Sequence, residues 1–144
     1  MPNKIILFKD DNGFLSNFYP CKINLDGIDY PSVEHAFQAA KTHEYNVRLA
    51  ISRLSTPGKA KRFGRAIKLR EDWEDIKLGM MAALVKQKFY SYPELAERLL
   101  KTGDAELVEG NWWGDTYWGV CQGKRENNLG KILMLVREEL RKGG

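Results

Sequence analysis

A long helical pattern between Asp72 and Tyr90 constrains the fold more than any other stretch of the sequence. Its apolar residues recur at spacings of three and four, which places them along one side of an α-helix. A stripe of this length is stable only when other elements cover it, so the pattern predicts a core helix and needs no cofactor to explain it. The stripe consists of Trp73, Ile76, Met80 and Leu84, extended by Leu78, Met81, Val85 and Phe89.

Shorter elements precede and follow this core helix. Periodicity and turn signals predict further helices around residues 32–45, 46–54, 57–70, 93–101 and 127–140, and short strands around 4–8, 21–25, 28–30, 107–109 and 116–118. The Asp26-Gly27 pair between two of these strands predicts a hairpin. A chain of 144 residues with 43% hydrophobic residues suits a single domain over residues 1–144.

The sequence carries no signal for a membrane, a secretory route or a metal. No apolar run approaches the ~18 residues that span a bilayer, and the apolar start is too short for a secretory signal. Cys21 and Cys121 lie far apart without metal-ligand spacing, so we expect free thiols. Motifs of P-loop, Rossmann and zinc-hydrolase proteins are absent. We therefore expect a soluble, cytoplasmic protein with no metal and no cofactor.

The segment Ser32 to Lys41 combines a carboxylate, an imidazole, an amide and an amine within one short helical pattern. Ser32 can cap the free amides of the first turn. At about 100° per residue, Glu34, Gln38 and Lys41 fall on one side of a helix that continues towards Tyr45. Such a helix can carry an active site, although Glu and Lys at helical spacing also occur on solvated faces.

Six basic residues and no acidic ones lie between Pro57 and Arg70. On a helix that begins at Pro57, Lys61, Arg65 and Lys68 would share one face. This face could hold a phosphate group or a nucleic-acid backbone, or it could simply remain hydrated.

Two further segments contain residues suited to a binding site. Phe14 to Pro20 places three aromatic residues around Ser16-Asn17, which is either a binding loop or a connection anchored in the core. Glu109 and Asp115 lie beside Trp118-Gly119. Carboxylates near tryptophan can have raised pKa values suited to proton transfer.

These segments together resemble the motifs of the NADAR family of YbiA-like proteins, and the match covers nearly the whole chain. Six ordered motifs are far more specific than any one of them. They are Leu15 to Tyr19, Tyr30 to Lys41, Lys59 to Arg65, Leu100 to Glu109, Asp115 to Gly119 and Asn128 to Met134. The pair Trp112-Trp113, between Gly110 and Gly114, departs from the family pattern, and we expect it to alter substrate choice.

The resemblance implies an α+β fold dominated by helices with a small β-sheet. It also implies N-glycosidase activity on the bond between C1 of a ribose phosphate or ADP-ribose and an exocyclic base nitrogen. The two substrate classes are phosphoribosylamino-pyrimidines of riboflavin synthesis and ADP-ribosyl-guanine in DNA. Lys41 takes the place of the family's lysine, which implies a Schiff-base mechanism, and Glu34, Glu109 and Asp115 take the places of acid and base groups.

The same resemblance, read with the charge pattern, gives a set of expected substrate contacts. Lys61 and Arg65 are expected to hold phosphate, while Phe18, Tyr19 and Trp118 are expected to form walls for sugar or base. The full set is Asn17, Phe18, Tyr19, His35, Gln38, Lys61, Arg65, Trp118, Gly119 and Asn128.

Two alternatives remain at this point. The chain could be a module that binds ADP-ribose or a related nucleotide without cleaving it. It could also bind plain nucleic acid through the segment from Lys59 to Arg70, in which case its affinity should fall steeply with salt. The expected partner is otherwise a nucleotide-like small molecule or ADP-ribosylated nucleic acid.

Overall fold

The structure is a computed structural model that describes residues 4–6, 8, 10–110, 117–121 and 124–143. Helices predominate over strands in this part of the chain, which confirms the mainly helical α+β prediction. In chain order the elements are β1 (Lys4–Ile6), a 3-10 helix (Asp10–Leu15), β2 (Ile23–Leu25), β3 (Ile28–Tyr30), α1 (Val33–Ala39), α2 (Tyr45–Ser52), α3 (Pro57–Gly64), α4 (Trp73–Ser91), α5 (Pro93–Lys101), β4 (Glu106–Val108), β5 (Val120–Cys121), β6 (Lys124–Arg125) and α6 (Asn128–Arg141).

The chain divides into two compact units. One is continuous and runs from Asn17 to Lys88; the other combines Met1–Ser16 with Phe89–Gly144. The expectation of one domain over residues 1–144 stays a prediction. No helix in the described ranges is both long enough and apolar enough to cross a membrane.

The Asn17–Lys88 unit contains a hairpin, helices α1 to α3 and α4 as far as Lys88. Strands β2 and β3 pair antiparallel, with Ile23 opposite Tyr30. The predicted turn is confirmed: Asp26 and Gly27 both have positive φ, at 50° and 89°, as a two-residue hairpin turn requires. Helix α1 packs against α2 and α3, and the ring of Phe37 lies 5.0 Å from that of Trp73 on α4.

The core helix is confirmed as α4, although its buried face differs in part from the predicted stripe. Met81, Leu84 and Val85 are buried as expected. Leu78 is instead 44% exposed, and the charged residue Lys88 is only 1% exposed. Periodicity locates a helix well, but the neighbouring elements decide which edge of a broad apolar arc they cover.

Helix α1 ends earlier than the sequence predicted. Its continuation through Lys41 towards Tyr45 is wrong, since α1 ends at Ala39 and Tyr45 begins α2. The carbonyl groups at this end accept from Arg70, in the segment between α3 and α4: its backbone N donates to Lys41 O at 2.8 Å and its Nη1 to Ala40 O at 3.4 Å. These tertiary donors replace the amides of a further helical turn.

Helix α3 also ends early, at Gly64, so the predicted helical face of three cations is wrong. Beyond this point hydrogen bonds link residues three apart, from Ala66 N to Phe63 O and from Ile67 N to Gly64 O. Such tight bonds close a helix end. Lys68 therefore lies in the segment after the helix and not on the face of Lys61.

The second unit joins the parallel pair β1 and β4 to helices α5 and α6. Ile5 lies opposite Leu107, and α6 packs on β4 and on α5. Strand β5 pairs antiparallel with β6. The predicted strand at 116–118 is wrong for Tyr117 and Trp118, whose carbonyl oxygens accept from Asn128 N and Leu129 N at the start of α6, at 3.1 and 3.0 Å.

Candidate active site

The Asn17–Lys88 unit contains a buried pair of polar side chains on α1, the carboxylate of Glu34 and the amide of Gln38. All seven residues of α1 are buried, so its polar residues do not form a solvated face. Gln38 Nε2 donates to Glu34 Oε2 at 2.6 Å, with Glu34 8% and Gln38 5% exposed. A hydrogen bond to a buried carboxylate is among the stronger neutral-to-charged contacts and fixes the orientation of both groups.

Gly64 on α3 permits this arrangement because it brings the helix backbone against Gln38. A Cβ at position 64 would overlap Gln38 Oε1 and lie 2.7 Å from its Cδ. The sequence analysis assigned no role to Gly64, although a glycine inside a helix at a helix–helix contact is the usual signal of such a close approach.

Lys41 lies half-buried on the turn that follows α1. Burial lowers the pKa of its ammonium below the ordinary value, the Glu34 carboxylate opposes this, and the cations of Arg65 and Lys61 add to the lowering. The structure thus brings Lys41 within electrostatic reach of Glu34, Arg65 and Lys61. An amine with a lowered pKa is more often unprotonated and better able to attack carbon.

The turn that carries Lys41 is held from two sides. Arg70 donates to the carbonyl oxygens of Ala40 and Lys41, as described above, and its guanidinium is paired with Asp72 at 2.6 Å. Arg48 Nε donates to Thr42 O at 2.8 Å. From the sequence, Arg70 is only one member of the basic cluster and Arg48 has no predicted role, because arginine–carbonyl bonds across 6 and 30 residues leave no local signal.

The loop before the hairpin is anchored to α1 by its backbone. Glu34 N donates to Asn17 O at 3.0 Å, and Asn17 Nδ2 lies 3.4 Å from Met81 Sδ. Phe18 is 41% exposed, and the ring of Tyr19 lies 5.3 Å from Lys88 Nζ. The segment is therefore anchored at Asn17 while it presents Phe18 to solvent, which combines the two interpretations left open by the sequence.

His35 lies within the protein and not on its surface, at 1% exposure. Its Nε2 lies 3.0 Å from Leu54 O, which can only accept, so Nε2 carries a proton. Nδ1 lies 2.7 Å from Ser32 Oγ. Burial lowers the pKa of His35, against the opposing effect of the Leu54 bond. Both ring nitrogens thus have protein partners that hold the start of α1, and substrate contact by this side chain stays a prediction.

The other unit gathers a second set of the expected residues around the start of α6. Asn127 Oδ1 accepts from Glu109 N at 3.1 Å, and Asn127 Nδ2 donates to Leu107 O at 3.0 Å. Glu109 is half-buried, while Asn128 Nδ2 donates to Glu126 at 3.1 Å.

The aromatic part of this second set lies just before α6. Trp118 is half-buried and its ring meets that of Tyr117 edge-on at 4.7 Å, and Gly119 is buried, its carbonyl oxygen accepting from Asn127 N at 3.3 Å. Asp115 lies outside the described residues, as does the Trp112-Trp113 pair.

Asn127, predicted from the sequence only as the start of the last helix, has a structural role. It adopts φ 51° at the start of α6, a conformation that asparagine tolerates better than most residues. Gly130 lies directly against it, and a Cβ there would overlap Leu107 O and lie 2.5 Å from Asn127 Nδ2. In the described ranges, no three His, Cys, Asp or Glu side chains come together as a metal-binding group.

The fold and the site define the class of protein: a mainly helical α+β protein with a carboxylate–amide pair within electrostatic reach of a half-buried lysine. A solved structure shares this fold. The NMR structure of the Escherichia coli protein YbiA superposes with a TM-score of 0.87 at 39% sequence identity, covering 99% of this chain and 88% of that one. The chain belongs to the NADAR family, whose domain model matches residues 7–141.

Curated relatives agree with this assignment. The N-glycosidase YbiA of Escherichia coli (strain K12) is 41% identical over 97% of this chain and 91% of that protein. The N-glycosidase Npun_R5314 of Nostoc punctiforme is 39% identical over 90% of this chain and 86% of its own length. The riboflavin biosynthesis protein VVA0006 of Vibrio vulnificus is 41% identical over 91% of this chain, which spans only 36% of that longer protein.

Proposed function

We propose that this chain is an N-glycosidase that hydrolyses the bond between C1 of a ribose phosphate or ADP-ribose and an exocyclic nitrogen of a base. Relatives named N-glycosidase, which this chain matches over 86% to 91% of their length, support the enzyme class. The relative named for riboflavin biosynthesis supports phosphoribosylamino-pyrimidines as one substrate class. ADP-ribosyl-guanine is the second class that we propose to test.

The observation that carries the mechanism is the half-buried position of Lys41, on a turn held by two arginines and within electrostatic reach of the buried Glu34 carboxylate. An ordinary lysine is almost fully protonated at neutral pH and is a poor nucleophile. Burial and two nearby cations favour the free amine, while Glu34 opposes them. Glu34 is itself held by Gln38, so it is positioned to take and return the protons that the reaction moves.

The reaction divides into steps that balance. The glycosylamine opens its ribose ring to an iminium at C1, and the Lys41 amine adds to C1 with loss of a proton. The base then leaves as its free exocyclic amine after it gains a proton, and C1 remains joined to Lys41 as a Schiff base. Water adds to C1, the C1–lysine bond breaks, and the sugar departs as its aldehyde. One water is consumed and the lysine is regenerated.

Further roles follow from the position of the charged groups. Arg65 is exposed and Lys61 half-buried, and both act electrostatically on Lys41, so we assign them the phosphate of the substrate. Reversing the charge at Arg65 should therefore raise KM more than it lowers kcat. Glu109 and Asp115 stay predictions as further acid or base groups.

Turnover of both substrate classes tests the activity directly. Purified protein is incubated with a phosphoribosylamino-pyrimidine and with DNA that carries ADP-ribosyl-guanine, and the released base and sugar are separated by chromatography. Release from at least one of them supports the proposal. Tight binding of both without any release would instead make the chain a non-catalytic nucleotide-binding module.

The Schiff base is tested by borohydride reduction during turnover, followed by mass spectrometry of the protein. We expect an adduct of the sugar phosphate on Lys41, and we expect Lys41→Arg to lose both the adduct and the turnover. Lys59→Arg is the matched control, because Lys59 is an exposed lysine of the same unit whose Nζ donates to Ser55 Oγ at 2.9 Å. Full activity of Lys41→Arg, or an adduct on another lysine, would contradict the assigned role.

A further inference from the structure

A cavity of about 440 Å³ lies in the Asn17–Lys88 unit, between the turn after α1, helix α2 and the segment after α3. Its lining does not include Glu34, Gln38, Lys41, Lys61 or Arg65, but it does include Thr42 and Arg70, which take part in the contacts that hold the Lys41 turn. Its volume falls within the range of about 300–1,000 Å³ that is usual for small-molecule sites. The cavity is therefore large enough for a ligand of nucleotide size.

Apolar residues form one half of the lining of this cavity. Val47, Phe63, Ile67 and Leu69 contribute side chains to the lining, and both Phe63 and Leu69 remain substantially exposed, at 40% and 46%. Large apolar side chains that face solvent from within one concave site leave apolar surface that a ligand can cover. The aromatic ring of Phe63 suits a flat ring system, which it can contact by stacking.

The polar residues of the lining are Thr42, His43, Glu44, Lys68 and Arg70, of which Arg70 is already paired with Asp72. Glu44 supplies a carboxylate, which accepts hydrogen bonds and cannot donate them when ionised. Its backbone N–H is already bonded to Thr42 Oγ1 at 3.1 Å, so the side chain is the available polar group. Lys68 supplies an exposed ammonium to the same lining, which suits an anion such as phosphate. A ligand that matches this lining has a flat ring, an N–H group at the edge of that ring, and a phosphate.

We propose that this cavity binds the purine ring of a nucleoside monophosphate, stacked on Phe63, with Glu44 accepting from an N–H group of the base and Lys68 contacting the phosphate. A purine covers the apolar walls more fully than a single six-membered ring does. The wall formed by residues 42–44 directly continues the turn that carries Lys41, and Arg48 and Arg70 hold that turn in place. The site does not depend on the N-glycosidase reaction for its chemistry.

The first experiment measures AMP binding by titration calorimetry to the wild-type chain and to two alanine-to-tryptophan variants. Ala66→Trp fills the cavity, because Ala66 belongs to its lining. Ala50→Trp adds the same side chain at an exposed position of α2 outside the lining. We expect AMP affinity to fall at least tenfold in Ala66→Trp and to stay within twofold in Ala50→Trp. Equal affinities in both variants, or no AMP binding to the wild-type chain at millimolar concentration, would overturn the proposal.

The second experiment tests the polar contacts without filling the cavity, and so serves also if Ala66→Trp fails to fold. Purine riboside 5′-monophosphate lacks the exocyclic amine of AMP. It should therefore bind to the wild-type chain more weakly than AMP does, whereas Glu44→Ala should bind the two nucleotides equally well. Lys68→Ala should weaken AMP but not adenosine. Phe63→Ala should weaken both about tenfold, in line with the loss of a stacking partner. A preference for AMP that survives Glu44→Ala would overturn the assigned contact.

The outcome separates this site from the proposed activity. Ribose 5-phosphate has no base, so it should displace AMP from the wild-type chain at least tenfold less well than adenosine does; displacement as effective as that by adenosine would overturn a base-binding cavity. Hydrolysis with AMP binding unaffected by Ala66→Trp would leave the N-glycosidase standing and reject the cavity. If Ala66→Trp loses AMP binding and the wild-type chain hydrolyses neither substrate class, the cavity proposal stands and the N-glycosidase proposal is rejected.

Discussion

Replacing Gly64 by alanine is the sharpest test of the polar pair on α1. The new Cβ would overlap Gln38 Oε1 and lie 2.7 Å from Gln38 Cδ, where ordinary contacts begin near 3.4 Å. The carboxamide cannot turn into solvent, because Gln38 is only 5% exposed. The substitution must therefore either separate α3 from α1 or break the 2.6 Å bond from Gln38 to Glu34.

Both responses have a known size. Overpacking a buried contact costs about 1–3 kcal/mol, and a hydrogen bond to a charged group contributes about 1.5–3 kcal/mol. Since the chain takes whichever response costs less, we expect Gly64→Ala to lower the free energy of unfolding by about 1–3 kcal/mol. We also expect a fall in turnover of at least about tenfold, which is 1.4 kcal/mol in the activation free energy, if the orientation of Glu34 serves the reaction.

Gly58→Ala provides a matched control on the same helix. A Cβ there would have Thr56 Oγ1 as its nearest neighbour, at 3.9 Å. Urea denaturation followed by circular dichroism should show Gly58→Ala within about 0.5 kcal/mol of the wild-type chain or slightly more stable. In a Gln38→Ala background the steric conflict is absent, so adding Gly64→Ala should then cost little. Strict additivity of the two substitutions, or equal stability of Gly64→Ala and Gly58→Ala, would refute the reasoning.

Two further predictions concern stability. Burial lowers the pKa of Lys88 from 10.5 to about 8, so the unfolded chain binds more protons between these values and stability should rise with pH across that window. At about 1.36 kcal/mol per pKa unit, Lys88→Met should stabilise the chain at pH 7 by about 1–3 kcal/mol, after allowance for the lost contact with the Tyr19 ring. Lys88→Met should also reduce the difference between the free energies of unfolding at pH 7 and pH 9.5, measured by urea denaturation. An unchanged difference, or the same effect from Lys86→Met at an exposed position, would contradict the assigned role of Lys88. Gly130→Ala should lower the free energy of unfolding by at least about 2 kcal/mol, because its Cβ meets a backbone carbonyl. Gly79→Ala, with open space around it, should leave the free energy of unfolding unchanged or raise it by up to about 1 kcal/mol in the same assay. Equal effects of these two substitutions would be evidence against the close contact.

Local signals in the sequence were sufficient for much of the fold. Three features depend only on residues close together in the chain, so short stretches of sequence predict them. They are the Asp26-Gly27 turn, the Ser32 cap and the helix from Asp72 to Tyr90. The family motifs likewise predicted a mainly helical α+β protein, and the structure and the family match confirm this. Lys41 was expected near Glu34, seven positions earlier, on one side of a continuous helix; the two are within electrostatic reach although the helix ends before Lys41.

Tertiary structure decided where the helices stop and which charges are buried. Arg70 draws the carbonyl groups of Ala40 and Lys41 out of a helical ladder, so Lys41 stands on a turn and not on a helix face. Lys88 is buried although its charge suggests an exposed position, and Gly64 owes its importance to a glutamine 26 residues away in the chain. Local propensity favoured continued helices and solvated charges, and bonds and contacts between distant residues outweighed it.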